Sequence, residues 1–227
     1  MYILKFNYMK KVLLVVIPMA IFVFNANAQF FSYGIKMGVN YSTITNLKEI
    51  QIPSSVQILE GSGNNSYRFG YNAGAFFRIS LLNILAIQPE ILYSNQGVKS
   101  SGKITGSDVD YSSTIKLDYI NIPVILQIYL IPNILNLEVG PQLGFLINSK
   151  QSYEFSLNNN DYDQTSKISG VNDVDLSLAL GLGIKIPLIP VGVNARYTFG
   201  LTDTYTEVDN AKSTRNGVFQ LSVFVRL

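Results

Sequence analysis

The stretch DVDLSLALGLGIKIP, Asp173 to Pro187, admits few folds. Val174, Leu176, Leu178, Leu180, Leu182, Ile184 and Ile186 alternate with Asp175, Ser177, Ala179, Gly181, Gly183 and Lys185 without a slip. Successive side chains of a β-strand point to opposite sides, so this spacing predicts a strand with one apolar face and one small, polar face. A helix would spread both sets around its axis. Two kinds of closed sheet accept such a strand: a water-soluble barrel with its leucines inside, or a membrane barrel with its leucines against lipid.

The polar face decides between them. It carries glycine, serine, asparagine and glutamine with an occasional charge, side chains small enough for the interior of an eight-stranded barrel. Aromatic residues gather near strand ends: Tyr41, Tyr71, Tyr93, Phe145 and Phe199 on the loop side, and Phe31, Tyr33 and Phe77 on the turn side. Two such girdles are expected at the two interfaces of a bilayer. Charged residues make up 14% of the chain, where soluble domains carry about 25%. The leucines are therefore expected to face lipid. A soluble exported barrel that binds a small apolar ligand is the alternative, and a narrow passive pore is a second.

The rest of the chain repeats the motif. Strands are expected at Tyr33 to Thr43, Phe69 to Ser80, Leu85 to Gly97, Lys116 to Leu130, Leu135 to Asn148, the stretch quoted above, Val191 to Thr202, and Arg215 to Leu227. Short turns join them at one end. Polar segments join them at the other: Ile44 to Arg68, Val98 to Ile115, Ser149 to Asn172, and Asp203 to Thr214. An even strand count with tight turns on one side and long loops on the other is the layout of an outer-membrane barrel. Lys116 to Leu130 has apolar residues on both parities, and Pro89, Pro123 and Pro141 each remove a ladder donor, so bulges are expected at the three prolines.

The expected fold is thus all-β: an eight-stranded antiparallel transmembrane β-barrel, an up-and-down meander with short periplasmic turns and long extracellular loops, in the outer membrane of a Gram-negative bacterium. Lys10 and Lys11, the 13-residue apolar run Val12 to Phe24, and Asn25-Ala26-Asn27-Ala28 before Gln29 have the form of a secretory signal. Cleavage is expected between Ala28 and Gln29, giving a signal peptide over 1–28 and one barrel domain over 29–227. Removing Lys5, Lys10 and Lys11 leaves 17 minus 3, or 14, basic residues against 15 acidic ones. That balance offers nothing to nucleic acid.

Chemistry is constrained by what is missing. The sequence contains no histidine and no cysteine, so histidine-based triads and thiolate metal sites are impossible. An enzyme is not expected, nor is a cofactor or metal. The acidic pairs Asp108 and Asp110, Asp161 and Asp163, and Asp173 and Asp175 read as solvated carboxylates rather than calcium ligands. Seven charged residues fall on the inward parity: Lys36, Arg78, Glu90, Glu138, Lys185, Arg196 and Arg226. Unpaired charges there would be costly, so a polar cluster in the barrel interior is expected to pair them, either as a plug that closes the lumen or as a solvated wall without function.

Six segments carry a family resemblance: GIKMGVNYS (Gly34 to Ser42), YNAGAFFRI (Tyr71 to Ile79), IQPEILYSNQG (Ile87 to Gly97), LDYINIPVILQI (Leu117 to Ile128), LEVGPQLGFLI (Leu137 to Ile147) and ARYTFGLTD (Ala195 to Asp203). Taken in order they resemble the PorT family of small outer-membrane β-barrels, including the three prolines. The resemblance implies a structural or interaction role through the extracellular loops, accessory to protein secretion or surface attachment. Outer-membrane lipid is the expected partner of the apolar face, secretion-system or surface components are expected partners of the loops, and the protein is expected to be a monomer.

Overall fold

The computed structural model describes residues 30–45, 64–103, 110–157, 160–168, 170–205 and 214–227. The expected signal peptide, 1–28, and its cleavage between Ala28 and Gln29 lie outside the described residues. Nine strands follow in chain order: β1 Phe31–Thr45, β2 Asn64–Leu82, β3 Leu85–Lys103, β4 Asp110–Ile131, β5 Leu135–Leu157, β6 Asn160–Lys167, β7 Val174–Lys185, β8 Val191–Gly200 and β9 Arg215–Arg226. All pair antiparallel with their neighbours. Pairing of β1 with β9 and of β4 with β5 closes a ring of eight, in which β5 is followed directly by β7.

Two expectations need correction. First, β6 stands outside the ring and pairs with the outer part of β5, from Lys150 to Leu157. It lies in a segment expected to be a loop, and β2, β3, β4 and β5 also run into segments expected to be loops. A strand anchored in a closed ring can continue into water as a polar ribbon, and Ser, Thr and Tyr are adequate strand residues there. Polarity marks the end of the membrane band rather than the end of the strand.

Second, the register runs unshifted through all three prolines. Pro89 pairs with Val124 in step with Leu92 and Asn121, Pro123 with Gln142 in step with Leu126 and Val139, and Pro141 with Leu178 in step with its neighbours. The irregularities lie at Tyr67/Asn72, Ser80/Leu82, Asp118/Tyr119 and Tyr129/Ile131. Losing one donor costs a single ladder bond, whereas a one-residue slip in mid-membrane would turn every later side chain to the wrong face. Shifts are tolerated toward the rims instead.

The apolar set faces outward. On β7, Leu180 is 42% and Leu182 49% exposed, whereas Ala179 between Leu178 and Leu180 is fully buried. Tyr33, Ile35, Met37 and Val39 of β1 and Phe219, Leu221 and Val223 of β9 continue the same exposed band. This is the arrangement hydrocarbon requires, because only a closed ladder leaves no backbone N–H or C=O facing lipid. It excludes the soluble ligand-binding barrel, which needs those leucines inside. Strand β4 has a clean parity after all: Ile122, Val124 and Ile128 face out, and Tyr119, Asn121, Pro123, Ile125, Gln127 and Tyr129 face in. Apolar residues on both parities arise because Ile125, like Phe76 and Leu92, fills the lumen.

Aromatics mark the band's edges. Tyr41 stacks on Tyr67 with ring centroids 4.4 Å apart on the loop side, and Phe31 stacks on Phe77 at 5.6 Å on the turn side. At the inner rim, Ser42 Oγ accepts from the Gly97 N–H at 2.9 Å and donates to the Gly97 carbonyl at 3.0 Å. Gly97 has φ 145°, and a Cβ there would lie 1.9 Å from the Ile115 carbonyl oxygen. Only glycine fits this crossing of β3 and β4.

Candidate functional site

The lumen holds the chemistry. Strand alternation aims Lys36 of β1, Glu90 of β3, Glu138 of β5 and Arg196 of β8 at one another from around the ring. Arg196 is the hub. Its Nη1 and Nη2 donate to the two oxygens of Glu90 at 3.0 and 2.9 Å, and its Nε and Nη2 donate to Glu138 Oε2 at 3.2 and 2.8 Å. Lys36 Nζ donates to Glu90 Oε1 at 2.9 Å. Two cations meet two carboxylates, all four buried, so the cluster is formally neutral.

Amides complete the carboxylate shells. Gln88 donates to Glu90 at 2.8 Å, Asn194 to Glu138 at 3.0 Å, and Gln127 to Glu138 at 3.2 Å. These bonds matter because a buried carboxylate with unused lone pairs gains too little from charge pairing to offset its dehydration. Gln127 also links the cluster to Arg78, whose Nε donates to Gln127 Oε1 at 3.1 Å and whose guanidinium lies 5.1 Å from the Tyr129 ring centroid.

Of the seven residues expected in the polar cluster, the structure joins Lys36, Glu90, Glu138 and Arg196 directly, and Arg78 through Gln127. Lys185 and Arg226 lie apart, toward the turn end, half-buried and outside the ion pairs. Sequence reasoning missed Gln88, Gln127 and Asn194. Each sits on the inward parity, and a neutral amide beside a lumen carboxylate is the signal that would have found it.

Loop-side of the ion pairs, a second layer contains only amides and hydroxyls. Asn72 donates to Asn40 at 2.6 Å, Asn40 donates to Ser94 at 2.9 Å, and Ser222 donates to Asn72 at 3.1 Å. Above that, Ile44, Val98, Ile115, Leu117 and Tyr119 form an apolar cluster, joined by Leu146, Ile168, Val171 and Tyr205. Val171 and Tyr205 form a β-bridge across it. Ile44, Val98 and Ile115 were expected at the starts or ends of loops. They are core residues because β1, β3 and β4 continue beyond the expected strand ends and pack these inward side chains against Leu146, Ile168, Val171 and Tyr205. Asp175, one of the acids expected to be solvated, points into the lumen, accepting from Ser177 at 2.9 Å and from Asn216 at 3.4 Å. Among the described residues no three Asp or Glu converge as metal ligands.

A closed ring of eight antiparallel strands with an apolar outer band and a polar, charge-paired interior defines an outer-membrane β-barrel. The outer membrane protein beta-barrel domain family matches residues 25–206; the chain belongs to that family and resides in the outer membrane of a Gram-negative bacterium. No curated protein matches the sequence. Among solved structures, the attachment invasion locus protein Ail of Yersinia pestis is 13% identical with a TM-score of 0.42, covering 86% of this chain and 98% of that one. Neisserial surface protein A is 15% identical with a TM-score of 0.41, covering 85% and 96%. The N-terminal β-barrel domain of Pseudomonas aeruginosa OprF is 9% identical with a TM-score of 0.34, covering 86% and 97%. The architecture of the present protein rests on its own strand pairing.

Proposed function

We propose that this is a closed, non-conducting barrel that works by contact, its loop-end wall engaging a secretion component or surface polymer. The observation that carries the reading is an asymmetry of height. Beyond Phe145, β5 continues for twelve residues to Leu157, and β4 begins ten residues before Ile120. At about 3.4 Å per residue these extensions are roughly 35 to 40 Å of strand. Strands β1, β7, β8 and β9 stop near the rim. One side of the barrel therefore carries a tall ribbon, β2 to β6, ending in a free edge at β6. Paired strands present the same surface to every partner, at a lower ordering cost than a mobile loop.

The resemblance to the PorT family supports an accessory role in protein secretion or surface attachment. Replacing 152–165 by a two-residue turn removes the tip of the ribbon and leaves the ring intact. Partners cross-linked in intact outer membranes should then be lost while the barrel still inserts. Unchanged cross-links and unchanged secretion would overturn the proposal.

Closure of the lumen is the second part of the reading. Three ion-pair contacts cross it, and the apolar mouth caps it. Wild-type protein should give no conductance steps in planar bilayers. Glu138→Gln takes one charge from the shared Arg196 site and should cost about 1.5–3 kcal/mol, the worth of hydrogen bonds to a charged group, with brief openings appearing. Unchanged stability together with unchanged conductance would remove support for the plug.

A further inference from the structure

On the outer face of the ribbon, Lys116 of β4 is directly opposite Lys150 of β5, and Lys150 is directly opposite Lys167 of β6. Directly opposed residues share a face, and all three lysines are exposed. Three like charges in adjacent cross-strand positions repel one another and weaken the sheet they sit on. Among the described residues no ion pair reaches these lysines. The nearest carboxylate on this face, Asp118, the next outward residue below Lys116, accepts from Asn95 and Asn148 and makes no ion pair with the row. The row above carries a further exposed lysine, Lys99 of β3 opposite Thr114, and continues through Ser152 and Thr165, whose hydroxyls lie 3.0 Å apart.

Height identifies the counter-ion. Among the described side chains of β5, Ile147 is the last exposed aliphatic one, and Lys150 follows three residues later. That is roughly 10 Å of strand, less when projected through the barrel tilt. The polar layer on each side of the hydrocarbon core is about 5 to 8 Å deep, and a lysine stem can reach several ångströms back along an apolar wall. The three ammonium groups are therefore at the level of lipid phosphates in the loop-end leaflet. We propose that Lys116, Lys150 and Lys167 form a binding row for those phosphates, with the Ser152 and Thr165 hydroxyls as additional partners. The row anchors the base of the ribbon to the membrane.

The test uses the mature barrel, folded in neutral detergent, with phosphorylated lipid A or its dephosphorylated form added and retained lipid counted by native mass spectrometry. Wild-type protein should retain the phosphorylated lipid in preference. Lys150→Gln should lower that retention roughly fivefold, as expected for one lysine at an anionic lipid surface, and the triple Gln variant should abolish the preference. In detergent without lipid, Lys150→Gln should melt no lower than wild type, since it relieves repulsion; this also shows that the variant folds. Arg215→Gln, which removes an exposed cation at the start of β9 on the ring's low side, should retain lipid as wild type does. Equal retention of the two lipids, or an equal loss with Arg215→Gln, would overturn the site. Saturation of wild-type protein by inorganic phosphate alone, without lipid, would overturn lipid as its ligand.

Discussion

Arg196→Met should destabilise the barrel by about 3–5 kcal/mol, the cost of breaking a buried ion pair by removing one partner. Arg196 is the side chain that contacts both Glu90 and Glu138. Without it, two buried carboxylates share a single cation, Lys36, which reaches only Glu90. Neither carboxylate can escape to water, because the ring wall is closed around it. The whole cluster behaves differently from its parts: replacing Lys36, Glu90, Glu138 and Arg196 together by apolar residues of similar volume should cost far less than the four single losses added together, since no charge is then left unpaired. Urea unfolding in lipid vesicles, followed by circular dichroism, measures both. An Arg196→Met loss below about 1 kcal/mol would mean that water reaches the carboxylates and that the lumen is not closed.

Leu180→Arg should cost about 2–4 kcal/mol, the depth-dependent cost of a cation on the lipid face near the bilayer midplane. Leu180 is midway along β7, opposite Val139 on one side and Tyr197 on the other. Its neighbours on this face are apolar or aromatic, so an arginine there has no carboxylate to meet and must distort the bilayer or reach for an interface. The same unfolding experiment reads the effect, and Leu188→Arg supplies the contrast. Leu188 is fully exposed in the turn between β7 and β8, so the change there should be nearly neutral. Equal costs at the two sites would argue against lipid contact at Leu180.

The lipid-facing wall was legible because face is a local property. Alternation between Leu180 and Gly181 needs only the two-residue period of a strand, whatever the partner strands are. The bulges expected at Pro89, Pro123 and Pro141 were wrong for a non-local reason: the neighbouring strands hold the register across a missing donor, and a slip would move several leucines into the lumen. The loops expected at Val98 to Ile115 and Ser149 to Asn172 failed similarly. Polar composition alone does not end a strand, because β4 and β5 support each other well beyond the membrane.

Parity placed Lys36, Arg78, Glu90, Glu138, Lys185, Arg196 and Arg226 on the inside from sequence alone, since each shares a face with glycines and amides. Parity carries no height. Only ring closure brings Arg196 to Glu90 across 106 residues and Lys36 to Glu90 across 54, and leaves Lys185 and Arg226 outside those pairs toward the turn end. The opposition of Lys116, Lys150 and Lys167 has the same origin, because it depends on how β4, β5 and β6 are set against one another. The sequence by itself determined which residues meet lipid, through a period that every strand obeys; the tertiary structure decided which charges meet each other, because register is a property of pairs of strands.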